Sequence, residues 1–301
     1  MPTEYVFGDL HVATTHLDRV VFPDAGIAKG DVLAYYHRVA DVMVPQLADR
    51  ALTMERFTKG IDAGGFFQKH VQKHYPAWIE RATMPGKTVV TYPICNSAAA
   101  LVYFANQGGV AFHVWTSRTH APDRPDLIVF DLDPPDGKFE LVRRVARLLH
   151  ELLNDLELPS FVKTTGSKGL HVVVPTDGAA PFADVDALCS AIAKRLCARH
   201  PDLVTVEFYK KDRKGRLFFD TMRNAPGATF VAAYSLRGKP GAPVSAPIAW
   251  HEVDDPALAP DGFRLRDVPA RLDRLGDLWS TLRKHLGSVA AATAKLAALS
   301  E

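Results

Sequence analysis

Two carboxylates one residue apart close the apolar run Ile128-Val129-Phe130-Asp131-Leu132-Asp133, and Pro134-Pro135-Asp136-Gly137 stops it. Successive side chains of a strand alternate faces, so Asp131 and Asp133 point the same way. Like charges held side by side repel unless a cation lies between them, and hard oxygen ligands of this kind suit Mg²⁺ or Mn²⁺. An isolated Asp-x-Asp reads equally well as a capped strand whose acids are solvated in the turn, so other parts of the chain must decide. Leu217-Phe218-Phe219-Asp220 ends a second apolar run in a carboxylate. If that strand lies beside the first, three carboxylates from two neighbouring strands make a two-metal site. Ions ~3.5–4 Å apart would then clamp the attacking and leaving oxygens of a phosphoryl or nucleotidyl transfer.

Two turns offer partners for phosphate. Thr164-Thr165-Gly166-Ser167-Lys168-Gly169-Leu170-His171 presents backbone N–H groups, a hydroxyl, an ammonium and an imidazole, and its glycines let the main chain approach an anion closely. Tyr209-Lys210-Lys211-Asp212-Arg213-Lys214-Gly215-Arg216, just before Asp220, is a dense basic turn suited to triphosphate or backbone phosphate, with a solvated hairpin tip as the plain alternative. The P-loop pattern fails, because Arg81 stands where Gly86-Lys87-Thr88 would require the first glycine, and no G-x-S-x-G nucleophile elbow occurs.

Periodicity supplies the elements that must hold these groups. Leu127 to Asp133 reads as a strand. A helix from about Lys138 to Leu156 follows, with Leu141, Val145, Leu148, Leu149 and Leu152 on one face. Phe161 to Thr164 and His171 to Val174 read as two strands joined by the glycine turn. Asp184 to Arg199 is helical, and Val204 to Phe208 and Arg216 to Asp220 are strands on either side of the basic turn. The order β-α-β-β-α-β plus one strand is the split βαβ, ferredoxin-like arrangement of an α+β protein, whose open sheet face can carry a site. Lys29 to Asp49 reads as one long supporting helix, and the chain from Gly276 onward as Ala/Leu-rich packing helix.

Composition bounds the rest. The 301 residues, 47% hydrophobic, suffice for a large core, and a formal net charge of +2 does not by itself announce a nucleic-acid partner. No apolar run approaches the ~18 residues that cross a bilayer. The opening Met1-Pro2-Thr3-Glu4-Tyr5 lacks the shape of a signal peptide, so a cytoplasmic, nucleoid-associated protein is expected. Cys95, Cys189 and Cys197 form no C-x-x-C pair, which argues against a disulfide framework and against zinc.

Phe130-Asp131-Leu132-Asp133-Pro134, Gly166-Ser167-Lys168-Gly169-Leu170-His171 and Phe219-Asp220 stand in the order and spacing of the three motifs of the archaeo-eukaryotic primase superfamily. The chain resembles most the polymerase domain of bacterial ligase D and its stand-alone primase-polymerase relatives, over nearly its whole length. Asp24 to Asp31, Gly65 to His70, Tyr92-Pro93-Ile94, Tyr234 to Arg237 and Pro240 to Ser245 also match. The resemblance implies a single primase-polymerase domain over 1–301, with a supporting and DNA-contacting part (1–120), an RRM-like catalytic core (121–250) and a helical tail (251–301).

It also implies roles. Asp131, Asp133 and Asp220 would hold Mn²⁺ or Mg²⁺, with Asp220 also helping to activate the primer 3′-hydroxyl. Ser167, Lys168 and His171 would bind the phosphates of the incoming nucleotide, joined by Arg237 and Arg213, with His113 near the sugar. Phe67, of the Phe66-Phe67 pair, would stack on the template where it bends, core packing being the rival for one of the rings. Lys29 and Arg19 would take the 5′-phosphate across a gap or break, with His16 in the same pocket and Lys69 and Arg56 also contacting DNA. Three positions depart from the family pattern: Glu55 precedes Arg56 where a basic residue is frequent, His16 replaces a common asparagine, and Arg223 replaces a polar residue.

The expected activity is therefore template-directed, ribonucleotide-favouring repair synthesis at short gaps or end-joining breaks. Its partners would be nucleoside triphosphates and gapped or broken duplex DNA with a 5′-phosphate, a DNA ligase and a Ku-type end-binding protein. No ligase or nuclease domain follows in these 301 residues, so a polymerase acting on its own is expected. Two other readings compete. Asp-x-Asp also serves metal-dependent glycosyltransferases, though Asp220 and the Ser167 to His171 turn count against that. A non-catalytic RRM-type sheet could simply stack bases, which leaves three phosphate-repelling carboxylates without a purpose.

Overall fold

A computed structural model describes residues 3–86, 89–135 and 137–299, so Asp136 of the Pro-Pro-Asp-Gly turn lies outside the described residues. The chain forms two compact units, one of residues 1–115, 229–246 and 261–277 and the other of 116–228, 247–260 and 278–301. No helix among the described residues is long and apolar enough to cross a membrane.

The second unit is built on strands β1 (Leu127–Asp133), β2 (Phe161–Thr164), β3 (Leu170–Pro175), β4 (Val204–Thr205), β5 (Leu217–Asp220) and β6 (Pro247–Ile248). Helix α1 (Phe139–Asp155) follows β1, α2 (Phe182–Arg199) follows β3, and α3 (Val289–Ala298) closes the chain. The strand order is β4-β5-β1-β3-β2-β6, whose centre β5-β1-β3-β2 is the ferredoxin-like order. On one face Ile128, Phe130 and Leu132 meet Val172, Val174 and Phe219, all essentially without solvent exposure. The apolar stripes of α1 (Val142, Val145, Leu149, Leu152) and α2 (Val185, Leu188, Ile192, Leu196) are buried as well. Amphipathic helices need such a surface, and burying it supplies most of their stability in water. The other face of the same strands therefore carries the polar residues.

One expectation fails here. Val204 to Phe208 and Arg216 to Asp220 do not form a hairpin: β4 has two residues and runs parallel to β5, with Val204 opposite Leu217. The Thr205 hydroxyl oxygen accepts the Glu207 N–H (3.1 Å), and the Arg213 guanidinium donates to the carbonyls of Glu207 (3.1 Å) and Phe208 (2.7 Å). These side-chain bonds occupy backbone groups that a longer ladder would need.

The first unit centres on a sheet ordered Thr229–Val231, Gly109–Trp115, Leu52–Arg56 and Phe66–Gln68. The long helix expected over 29–49 is two, Lys29–Arg38 and Ala40–Leu47. The break falls at Val39, whose φ of −96° and ψ of 4° leave the helical range, and Pro45 sits inside the second helix, where it removes only the bond to the Asp41 carbonyl. The tail from Gly276 likewise holds only a short 3₁₀ turn, Leu282–Lys284, before α3.

Candidate active site

The polar face of the second sheet carries a row of residues in register. Lys163 on β2 lies opposite His171 on β3, His171 opposite Asp131 on β1, and Asp131 opposite Asp220 on β5. Residues directly opposite one another share a face, so the four side chains line up across four strands, with Asp133 two residues further along β1. Lys163, His171 and Asp131 are buried, and Asp133 lies at the exposed end of β1.

Asp131 is held on both sides. The Nε2 atom of His171 is 3.3 Å from its Oδ1, and Arg223 Nε donates to its Oδ2 at 3.1 Å. Burial alone would raise the Asp131 carboxyl, but the imidazole and the guanidinium outweigh it and hold it well below the usual carboxylate range. His171 is itself pushed down to about 4, first by burial and then by the Lys163 ammonium. His171 and the Arg223 guanidinium together hold the Asp131 carboxylate in its ionised form. Asp133 and Asp220 shift the opposite way. Burial raises both, and the neighbouring Asp131 charge adds to it.

Arg223 owes its position to Asn224, which is fully buried. Because β5 ends at Asp220, the edge of β1 beyond Asp131 has no further strand partner there. The Asn224 carboxamide replaces it: Oδ1 accepts the Val129 N–H at 2.8 Å and Nδ2 donates to the Val129 carbonyl at 3.0 Å. Asp220 Oδ1 accepts the Met222 N–H at 2.8 Å, closing the turn between.

An oxygen-only donor set in which the Asp131 charge raises the pKa of Asp133 and of Asp220 fits a hard divalent cation. Among the described residues, however, no group of three or more His, Cys, Asp and Glu side chains is already gathered to hold one. Asp131 faces His171 and Arg223 instead.

The glycine turn abuts this row. Gly169 lies so close to β1 that a Cβ there would sit 1.9 Å from the Leu132 carbonyl oxygen and 3.0 Å from Asp133 Oδ1. Thr165 Oγ1 accepts the Gly169 N–H at 3.1 Å, and Gly166 takes a left-handed φ of 63°. Lys168 is exposed and near enough to stabilise the Asp133 carboxylate, and Ser167 is half-buried. Arg213 lies over the Phe218 ring (4.1 Å) on the strand that ends in Asp220. Six of the expected residues, Asp131, Asp133, Asp220, His171, Lys168 and Arg213, thus belong to one surface of the second unit, and a seventh, Ser167, lies in its glycine turn.

The first unit gathers the others into two groups. Lys29, Arg19 and His16 meet where the Lys29 N–H bonds the Arg19 carbonyl (2.8 Å) and the Arg19 N–H the His16 carbonyl (3.2 Å). The buried Lys29 Nζ donates to the Thr15 carbonyl (2.6 Å) and hydroxyl (3.3 Å), and burial with the Arg19 charge beside it lowers its pKa to about 8. On the unit's sheet, the Phe67 ring stands edge-on to His113 with centroids 5.6 Å apart. Both Phe66 and Phe67 are exposed, at 49% and 64%, so neither is a core residue. Half-buried Arg237 follows a backbone segment tied down by buried hydroxyls: Tyr36 OH donates to the Val110 carbonyl and accepts the Leu236 N–H (3.0 Å), and Ser235 Oγ accepts the Phe112 N–H (2.8 Å). Arg56 bonds the Gln107 carbonyl (2.8 Å from Nε) and the Gln68 side chain, a structural engagement beside the exposed Lys69. Half-buried Glu55 has its pKa raised by burial, against the charges of Arg237 and Lys239.

Residues 28–279 match the family model of the LigD primase-polymerase domain. The chain belongs to the LigD primase-polymerase family. Its domain is therefore a nucleotidyltransferase of the polymerase class. The multifunctional non-homologous end joining DNA repair protein LigD of Mycobacterium tuberculosis is 37% identical over 281 residues, which cover 90% of this chain and 37% of that protein. The bifunctional non-homologous end joining protein LigD of Bacillus subtilis is 30% identical over 264 residues, covering 87% and 42%. The chain thus spans less than half the length of these relatives. Among solved structures, the polymerase domain from Mycobacterium tuberculosis ligase D in complex with DNA superimposes with a TM-score of 0.87 at 36% identity. That match covers 91% of this chain and 99% of the other.

Within this primase-polymerase domain, two residues escaped the reading of the sequence. Lys163 carried a signal, a lysine in an apolar strand on the same face as His171. Asn224 carried none, because its role is to substitute for a missing strand. Arg223 stood out in the sequence only as a departure from the family pattern, without its contact to Asp131.

Proposed function

We propose that this domain adds nucleotides, ribonucleotides in preference, to a primer 3′-hydroxyl at short gaps or end-joining breaks. The observation that carries the reading is the register pairing of Asp131 with Asp220, with Asp133 on the same face, in a chain of the LigD primase-polymerase family. Family membership favours this over a glycosyltransferase or a non-catalytic base-stacking sheet.

In the reaction the primer 3′-oxygen bonds to the α-phosphorus, the bond to pyrophosphate breaks, and the hydroxyl proton leaves. Mg²⁺ or Mn²⁺ held by Asp131, Asp133 and Asp220 would supply Lewis-acid stabilisation of the phosphate oxygens. Asp220 is the carboxylate suited to help receive the hydroxyl proton. Neutral His171 fixes Asp131 as an N–H donor. Ser167, Lys168, Arg213 and Arg237 are assigned to the triphosphate, and His113 to the sugar, where a bond to the 2′-hydroxyl favours ribonucleotides because a deoxy sugar leaves the partner unpaired. Exposed Phe67 is assigned to stacking on the template, with Phe66, Lys69 and Arg56 beside it. Lys29, Arg19 and His16 are assigned to the 5′-phosphate across the gap. A DNA ligase and a Ku-type end-binding protein are the partners that end joining would require.

Primer extension on gapped, nicked and 3′-overhang substrates, with ribo- and deoxynucleotides in competition, tests the reading. Asp131→Asn should abolish addition while binding of gapped DNA persists. Extension by Asp131→Asn at near the unmutated rate removes the metal site from the mechanism, and a clear deoxy preference removes the assignment of His113.

A further inference from the structure

The contact between Arg223 and Asp131 joins a fixed cation to a residue assigned to hold a mobile one. Both Asp131 oxygens are engaged: His171 lies 3.3 Å from Oδ1, and Arg223 Nε donates to Oδ2 at 3.1 Å. The two partners differ in freedom. His171 is buried and set by the β1–β3 register, whereas the Arg223 side chain is 44% exposed and hangs from a short turn, Met222–Asn224. That turn is anchored by Asn224 to Val129, so the Arg223 backbone stays beside β1 while its guanidinium has solvent to move into.

We propose that Arg223 is a specificity-determining residue for ion binding: a tethered cation on Asp131 that a divalent ion must displace. The proposal rests on the reading of Asp131, Asp133 and Asp220 as metal ligands and goes beyond it. A guanidinium is always protonated, so the competition is present at every working pH. Two cations on one carboxylate repel each other, less than in a sealed interior because the Arg223 side chain is 44% exposed. Arg223 therefore weakens ion binding to the protein alone. A nucleotide triphosphate changes the balance, since its phosphates attract both the ion and the released guanidinium, which matches phosphate oxygens well. Ion and nucleotide then bind together more readily than the ion binds by itself. The same arginine keeps three clustered carboxylates compatible with folding before any ion arrives.

The test measures Mn²⁺ binding to the nucleotide-free protein by the electron paramagnetic resonance of the free ion, for the unmutated chain, Arg223→Gln, Arg223→Met, Arg223→Lys and Asp131→Asn. Arg223→Gln and Arg223→Met should bind Mn²⁺ about tenfold more tightly than the unmutated chain, the factor that about one pKa unit of charge interaction on Asp131 corresponds to. Arg223→Lys keeps the charge and should stay within about threefold. Thermal melting gives an independent readout. Without added metal both neutral variants should melt below the unmutated protein, and Mn²⁺ should raise their melting temperatures more. Unchanged or weaker Mn²⁺ binding in both neutral variants, with binding lost in Asp131→Asn, overturns the proposal and leaves the metal site standing. Binding retained in Asp131→Asn at the unmutated affinity overturns both.

Discussion

Replacing Asn224 with alanine isolates the one side chain that completes the edge of the catalytic strand. Its carboxamide exchanges two hydrogen bonds with Val129, at 2.8 and 3.0 Å, and Nδ2 also donates to the Thr221 carbonyl at 3.1 Å. Alanine would leave the Val129 N–H and C=O buried and unpaired, since no side chain remains to reach them. An unsatisfied buried backbone group costs about 1–3 kcal/mol, so two set the expected loss at about 2–6 kcal/mol. That is a large fraction of the ~5–15 kcal/mol that holds a typical domain folded. Asn224→Asp should not rescue it, because a carboxylate can still accept the Val129 N–H but faces the Val129 carbonyl with a second acceptor. Two measurements check this: the urea midpoint of unfolding, and native-state hydrogen exchange of the Val129 amide, which should lose most of its protection. A loss below about 1 kcal/mol with the Val129 amide still protected would refute the strand-replacement argument.

Two further outcomes are expected. Gly169→Ala places a Cβ 1.9 Å from the Leu132 carbonyl oxygen, which backbone cannot yield without moving β1. It should destabilise the protein by about 3 kcal/mol or more and end nucleotide addition, and an unchanged melting temperature would contradict the close approach. Lys29→Met should erase most of a 5′-phosphate preference of about 1–3 kcal/mol, measured at low salt on gapped duplexes with phosphate or hydroxyl ends. Because Lys29 attracts phosphate only as the ammonium and burial lowers its pKa to about 8, its share of the preference should be full below that pH and fade as the pH rises beyond it, leaving the smaller, pH-independent share of Arg19. A preference constant from about pH 7 to pH 10 would contradict the assignment.

Much of the second unit was legible along the chain because its signals are local. Alternation in Ile128 to Asp133 places both aspartates on one face, the stripes of α1 and α2 mark helices, and Gly166 to Gly169 marks the turn. The β-α-β-β-α-β order carried the sheet's central topology, since short connections leave few ways to pair the strands. Where local signals mislead, competing side-chain bonds are the reason. Val206 to Phe208 is apolar enough for a strand, yet Thr205 and Arg213 claim the backbone groups around it. The break at Val39, between Lys29–Arg38 and Ala40–Leu47, falls within a helical pattern that reads as continuous along the chain.

What the sequence by itself determined is the set of reactive groups and the faces they occupy: Asp131 with Asp133 on β1, the phosphate-suited turn and Asp220 at a strand end. What only tertiary structure decided is which charges meet. The row from Lys163 through His171 and Asp131 to Asp220 exists because four strands separated in sequence share one register, and Arg223 reaches Asp131 because Asn224 docks 95 residues away on Val129. Strand register and electrostatic pairing act across the fold. Periodicity along the chain carries no record of them.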